Sequence, residues 1–306
     1  MIAVIFNPSA RGDKAKSLRA QLDRLGQGVE LLPTSGPGDA TRLALGAGLR
    51  GIETVVAAGG DGTVNEVVNG LACVPFGCRP KLGVLPLGTI NVFAKEIGLA
   101  SGVAENWATV QAGRVRTIDL AVATHSGGDR WFIQMAGAGL DAAAIARVQW
   151  KLKKWIGPGA YLWAGLVALA GPLPDVHVTG GPAELKGQLA LVGNGRFYGG
   201  RFPVFPHAHL NDGRLDLALL ARANLLTLTR AAVALHAGRL LQMSGVVHQQ
   251  APEFQFHCHR TAPFQVEGDN IGVLPARFSI QPNALRVLIP ASESEPTIDR
   301  GGRIGG

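Results

Sequence analysis

Residues 59–71 constrain the fold more than any other stretch: Gly59-Gly60-Asp61-Gly62-Thr63-Val64-Asn65-Glu66-Val67-Val68-Asn69-Gly70-Leu71. They follow directly on the run Glu53-Thr54-Val55-Val56-Ala57-Ala58, whose β-branched and apolar residues read as a buried strand. They pass into a helix with apolar positions at Val64, Val67, Val68 and Leu71. A strand, a turn with three glycines and a helix start form an arrangement that gathers phosphates. Glycine lets the backbone come close, and the unpaired amides of a helix N-terminus carry partial positive charge. Asp61 is the exception in this turn. A carboxylate repels phosphate unless a cation lies between them, so an acid here points to a nucleoside triphosphate with Mg²⁺. Taken alone, the turn would be an ordinary strand-to-helix connection capped by Asp61 or Thr63.

A second segment argues against that plain reading. Residues 81–99, from Lys81-Leu82-Gly83-Val84-Leu85-Pro86 through Leu87-Gly88-Thr89-Ile90-Asn91 to Val92-Phe93-Ala94-Lys95-Glu96, repeat the order of strand, glycine turn with hydroxyl, and helix. Two neighbouring strands then aim polar turns at one sheet edge, where open α/β folds bind ligands.

At these residues the chain resembles the diacylglycerol kinase catalytic domain family, and within it the bacterial lipid kinase branch related to sphingosine kinases. The likeness rests on Gly-Gly-Asp-Gly-Thr with Asn-Glu-Val, and on Pro-Leu-Gly-Thr-x-Asn-x-Phe-Ala. It begins at Asn7-Pro8-Ser9-Ala10-Arg11-Gly12 and takes in Thr34 to Ala40, Ile118-Asp119-Leu120, Val192-Gly193-Asn194, Tyr198-Gly199-Gly200 and Asn211 to Asp216. It therefore covers nearly the whole chain, in order.

Composition fits a folded, turn-rich protein: 306 residues, 47% apolar, 42 glycines. That length suits two domains rather than one core. The pattern before residue 122 alternates strands (2–6, 29–32, 52–58, 82–86, 116–122) with helices (13–25, 39–49, 63–72, 91–97, 102–112), which implies a parallel, Rossmann-like α/β sheet. Residues 123–290 are richer in strands (131–136, 174–179, 187–193, 215–220, 253–259, 263–267, 276–280), with helical patterns near 140–154, 159–170 and 223–240. The resemblance implies a β-sandwich there, with the last strand, Leu285 to Ile289, returning towards the first domain. Residues 291–306 read as a disordered tail.

The net charge of +7 favours an anionic partner. No interleaved aromatic and basic strand pattern points to nucleic acid. The basic residues cluster instead with tryptophans at Arg147, Trp150, Lys151, Lys153, Lys154 and Trp155, before the apolar run Tyr161 to Ala170. That combination suits peripheral docking on an anionic membrane, or else a buried helix beside a solvated basic face. Three cysteines without zinc-type spacing fit a reducing, cytoplasmic compartment, and a strand begins at once with no signal peptide before it. His257-Cys258-His259 reads as structural, because adjacent strand residues point to opposite faces. The oligomeric state is not legible, a homodimer being one option.

For the nucleotide cradle the expected residues are Gly59, Gly60, Asp61, Gly62, Thr63, Val64 and Asn65, with Gly88, Thr89 and Asn91. The resemblance adds Ser9, Ala10, Arg11, Gly12 and Asp13 in the first turn, and Thr34. It implies ATP as phosphoryl donor, a lipid acceptor, and Mg²⁺ held through Asp61 and Asp119. It also implies a structural cation at Asp212 and the carbonyls of His209 and Arg214, against which stands an ordinary Asp-Gly turn. Two departures mark this chain. Val92 stands where the family commonly has Asp, so a carboxylate of the metal and water network is absent. Glu267-Gly268-Asp269 stands where the family has Asp-Gly-Glu. By position Asp269 takes the proton-acceptor place, with Glu267 as the fallback and Asp61 as their catalytic partner. The function implied is an ATP-dependent lipid kinase acting on a diacylglycerol-like or sphingoid-like hydroxyl. An NAD kinase, which shares the Gly-Gly-Asp-Gly-Thr turn, and a non-catalytic nucleotide or lipid sensor are the alternatives.

Overall fold

The computed structural model describes residues 1–8, 28–140, 142 and 173–291. The expected helices at 13–25, 140–154 and 159–170, the tryptophan–lysine patch and the tail after 291 lie outside the described residues, except for 140 and 142.

The first half alternates as expected. Strands Ile2–Phe6 (β1), Val29–Pro33 (β2), Thr54–Gly59 (β3) and Lys81–Pro86 (β4) pair in parallel in the order β2-β1-β3-β4. Helices Asp39–Leu49 (α1), Asp61–Ala72 (α2), Val92–Glu96 (α3) and Val103–Ala112 (α4) connect and cover them. Each strand is apolar throughout because both faces are buried. Ala3, Ile5, Val55 and Ala57 join one core with α1 and α2, while Val4, Val56 and Ala58 join another with Val103 and Val110 of α4. Gly70 lets α2 lie close on α1, since a Cβ there would stand 2.8 Å from that of Ala44.

Arg114–His125 (β5) and Gly128–Phe132 (β6) form a hairpin. Met135–Gly139 (β7) follows, then Val176–Thr179 (β8), Leu185–Gly187 (β9), Leu189–Gly193 (β10) and a short ribbon of Phe197–Tyr198 (β11) and Phe202–Pro203 (β12). Leu215–Leu220 (β13), helix Leu225–His236 (α5), Val246–Ala251 (β14), Glu253–His257 (β15), Pro263–Val266 (β16), Asp269–Val273 (β17) and Ala276–Ile289 (β18) complete the chain. A six-stranded antiparallel sheet, β14-β13-β10-β7-β16-β17, packs on the antiparallel part of the first sheet. Between them lies an aromatic core in which Phe278 meets Phe256, Phe264 and Phe132 at ring-centroid distances of 4.7, 5.9 and 6.4 Å. The architecture is thus an N-terminal, mostly parallel α/β sheet and a C-terminal antiparallel sandwich.

Two expected strands come out differently, each for a reason that bears on the site. The run 131–136 is broken between β6 and β7, because the amides of Ile133 and Gln134 turn to the carboxylate of Glu267 instead of a neighbouring strand. Conversely, 276–280 and 285–289 are one strand, bulged between Gln281 and Leu285. At that bulge Asn283, with φ of 54°, donates its amide to Asp119 Oδ1 at 2.7 Å. Beyond it β18 pairs with β4 through Val287 and Leu82, so the last strand lies in the first sheet.

Candidate active site

β3 ends at Gly59, and α2 begins at Asp61. The next turn, at the end of β4, lies against it: a Cβ on Gly88 would stand 2.7 Å from the Cα of Gly60. The glycines are needed because two backbones touch. Asn91, with φ of 52°, closes the second turn by accepting from the Gly88 amide (3.0 Å) and donating to its carbonyl (2.7 Å). Asp61 Oδ1 accepts from the amides of Val92 (2.6 Å) and Phe93 (3.4 Å), so the acid of one turn caps the helix of the other. Burial pushes the Asp61 carboxyl up, against the pull of these amides and of the Lys95 charge.

These turns form one wall of a cavity of about 350 Å³. Gly60, Asp61, Gly62, Gly88, Thr89, Ile90 and Val92 line that side. Gln134 and Met135, Phe197 to Gly199, and Glu267 to Asp269 line the rest of the cavity. Both acids singled out in the second half therefore line the same cavity as the turns singled out in the first.

The two acids are not equivalent. Glu267 and Gly268 form a two-residue hairpin loop between β16 and β17 with φ of 52° and 85°, the primed-turn geometry that suits tight hairpins. A glutamate at positive φ costs about 1–3 kcal/mol unless its surroundings hold it there. Here Glu267 Oε1 accepts from the Ile133 (2.9 Å) and Gln134 (2.8 Å) amides, and its own amide donates to the Met135 carbonyl (2.9 Å). Burial pushes its carboxyl up to about 7; the Gln134 and Ile133 amides oppose this and the nearby Asp61 charge adds to it. Asp269 is exposed, at the first position of β17.

Other expected residues fall elsewhere. Val64 is buried in the core and its amide donates to the Gly60 carbonyl. Asn65 is buried as well, its Oδ1 accepting from Asn69 (2.7 Å), and neither side chain lines the cavity. Thr63 packs against Gly59. Thr34 binds the end of β1 through its amide, which donates to the Phe6 carbonyl (2.9 Å). Ser9, Ala10, Arg11, Gly12 and Asp13 lie outside the described residues.

Asp119 is not among the residues that line the cavity with Asp61. It is 1% exposed and accepts from the Gly213 amide (2.8 Å) and that of Asn283, bridging β5 to the loop before β13 and to the bulge of β18. Burial pushes its carboxyl up. Asp212 accepts from the Arg214 amide (3.0 Å), closing the turn. Burial raises Asp212 too, Asp216 and Asp119 adding like charge while His209 opposes. Among the described residues no group of three His, Cys, Asp or Glu side chains is placed to hold a metal ion, so a cation at either place would depend on carbonyl or ligand oxygens.

Several contributors gave no local signal. Gln134 is the lone amide in the otherwise apolar stretch Trp131 to Ala138, at the break between β6 and β7, and is buried. Buried Glu96 of α3 holds Arg196 through three bonds, its carboxylate accepting from the Arg196 amide (2.9 Å) and Nε (2.7 Å) and its carbonyl from Nη2 (3.1 Å), and so fixes Phe197 and Tyr198 beside the second turn. Lys95 lies near enough to Arg201 and Asp61 to feel both charges; burial first, then Arg201, lowers its pKa.

Comparison with known proteins agrees with this geometry. Residues 1–123 match the diacylglycerol kinase catalytic domain, and residues 134–289 match the YegS C-terminal NAD kinase beta sandwich-like domain. The chain is 31% identical to a diacylglycerol kinase of Bacillus subtilis, covering 97% of this chain and 98% of that protein. It is 32% identical to a probable lipid kinase YegS-like of Yersinia enterocolitica, over 83% of this chain and 84% of that one. Its fold is similar to a crystal structure of a diacylglycerol kinase from Bacillus anthracis, with TM-score 0.73 and 24% identity, covering 95% and 97% of the two chains. A nucleotide-type double glycine turn facing a carboxylate hairpin, in a chain matched end to end by such relatives, belongs to the diacylglycerol kinase catalytic domain family of lipid kinases.

Proposed function

We propose that this protein transfers the γ-phosphoryl group of ATP to the hydroxyl of a diacylglycerol-like or sphingoid-like lipid. The observation that carries the reading is Glu267, held by two amides across a cavity from two touching glycine turns. The turns supply amides at close backbone approach for phosphate oxygens, and Lys95 with Arg201 places two cations side by side, an arrangement that suits a polyanion. Asp61 would hold Mg²⁺ against those phosphates. The site suits the ion, because a partly buried carboxylate raised by burial gains from a cation. Bound there, the ion would neutralise charge that builds on the transferring group.

Glu267 takes the proton in this scheme. The acceptor oxygen forms a bond to the γ-phosphorus, the bond from that phosphorus to the β–γ bridging oxygen breaks, ADP leaves, and the hydroxyl proton passes to Glu267. A carboxyl near 7 is well matched to this task, since it is available as a base at neutral pH yet basic enough to hold the proton. Asp269, exposed on the rim, is the weaker choice despite its position in the motif. The division of labour would run near residue 122, with nucleotide held by the first part and lipid by residues 123–290. Among the described residues no helix is long and apolar enough to cross a membrane, and the net charge of +7 favours peripheral contact with anionic lipid. The test is ATP labelled at the γ-phosphoryl, offered with diacylglycerol, a sphingoid base or NAD. Label in the lipid phase is expected; label on NAD, or none beyond slow hydrolysis, would overturn the reading.

A further inference from the structure

Gln134 is 3% exposed and stands on the cavity wall, yet neither its Nε2 nor its Oε1 has a hydrogen-bond partner among the described residues. Buried amides in native proteins are almost always paired, and an unpaired one calls for a partner that comes and goes. The backbone of the same residue is fully committed: its amide donates to Glu267 Oε1 (2.8 Å) and its carbonyl accepts from the Asn194 amide (2.9 Å). The carboxamide is therefore carried on a fixed backbone beside the carboxylate. Gly195 makes room for it, because a Cβ at that position would meet the Gln134 side chain.

We infer that Gln134 determines acceptor specificity: its carboxamide binds an ester or hydroxyl oxygen next to the hydroxyl that receives the phosphoryl group. The cavity then selects a glycerol-type alcohol over a plain long-chain alcohol. The inference rests on the lipid kinase reading above. The wall decides for the acceptor rather than the nucleotide. Gln134 lines the same cavity as the apolar side chains of Met135 and Phe197, and its amide holds Glu267, the group that takes the acceptor's proton in the proposed scheme. A site that leaves a buried amide unpaired discriminates against a substrate lacking the matching group.

The experiment compares dioctanoylglycerol with a branched primary alcohol of the same chain lengths, lacking the ester oxygens, in the same mixed micelles. In Gln134→Met, kcat/KM for dioctanoylglycerol should fall about 10- to 100-fold, with kcat/KM for the plain alcohol and KM for ATP unchanged. The melting temperature should not drop, since a buried unpaired amide is replaced by an apolar chain of similar size. Gly195→Ala, which displaces the carboxamide, should shift selectivity in the same direction. An equal fall for both acceptors would make Gln134 merely structural, a changed KM for ATP would assign it to the nucleotide, and an unchanged ratio would remove it from recognition. If the wild type phosphorylates neither alcohol, the glycerol-type acceptor on which this inference depends is overturned, a result distinct from those three and from failure on the sphingoid base as well, which would overturn the kinase reading.

Discussion

The wall carrying Gly60, Asp61, Gly62 and Gly88 comes from two short continuous stretches, whereas the rest of the cavity lining takes Gln134, Tyr198 and Glu267 from segments far apart in the chain. The first wall works through backbone: amides brought close because two turns have no Cβ between them. The second works through side chains whose positions other groups impose, as the Ile133 and Gln134 amides impose that of Glu267. Under the proposed function, the difference teaches that binding of the donor would be local to a motif, while activation and choice of the acceptor would be properties of the packed molecule.

The sharpest way to break this comparison is to remove the base. Glu267→Gln keeps an oxygen for both amides but has no proton-accepting carboxylate, so kcat should fall about 10²–10⁴-fold with ATP affinity little changed. Asp269→Asn should cost much less, and the reverse ranking by single-turnover kinetics would hand the role to Asp269. The wild-type rate should also rise with pH through about 7 as Glu267 ionises, a rise that Glu267→Gln lacks; a flat wild-type profile over that span would exclude it as the base. Asp61→Asn comes next, with an expected loss of about 10²–10³-fold in phosphoryl transfer and a fold unchanged by circular dichroism. Wild-type turnover in the folded variant would sink the metal assignment.

Two smaller effects test how the walls are held. Gly88→Ala should destabilise by about 1–3 kcal/mol in denaturant titration, because the Cβ would push the turns apart at Gly60. It should weaken ATP more than lipid. The last concerns stability against pH. Glu267 has a folded pKa raised from 4.5 to about 7, so the folded state holds the proton better than the unfolded chain. Its contribution is complete below about 4.5 and is lost as pH rises through about 7. Glu267→Gln should therefore gain on wild type as pH rises from about 4 to 8, by up to about 3 kcal/mol, and the gain should vanish near pH 4. An advantage that grows on acidification would refute the raised pKa.

Legibility followed contact range. The parallel half could be read because strands buried on both faces are written as continuous apolar runs, and Val55 to Ala58 or Leu82 to Leu85 carry that pattern without help from partners. The break between β6 and β7 could not be read, since Trp131 to Ala138 is apolar enough for one strand. What interrupts it is a carboxylate 134 and 133 residues away in sequence. Likewise nothing in Gln281 to Leu285 announces a bulge; Asp119, 164 residues earlier, makes it by gripping Asn283.

The exchanged acids show the same limit at the site. Their sequence, Glu267-Gly268-Asp269, permitted a tight acidic turn because Gly268 takes positive φ freely, whereas the positive φ of Glu267 is held by its tertiary hydrogen bonds. Likewise the glycine turns with Asp61 pointed by themselves to phosphate chemistry at the ends of β3 and β4, the expectation on which the proposed function rests. Which acid faces that chemistry was decided only by packing. Placing β16 beside β7 puts the Ile133 and Gln134 amides within reach of Glu267 and none of the described hydrogen bonds on Asp269. A pKa near 7 follows from burial, which no residue carries in its own identity, and burial exists only once the strands have met.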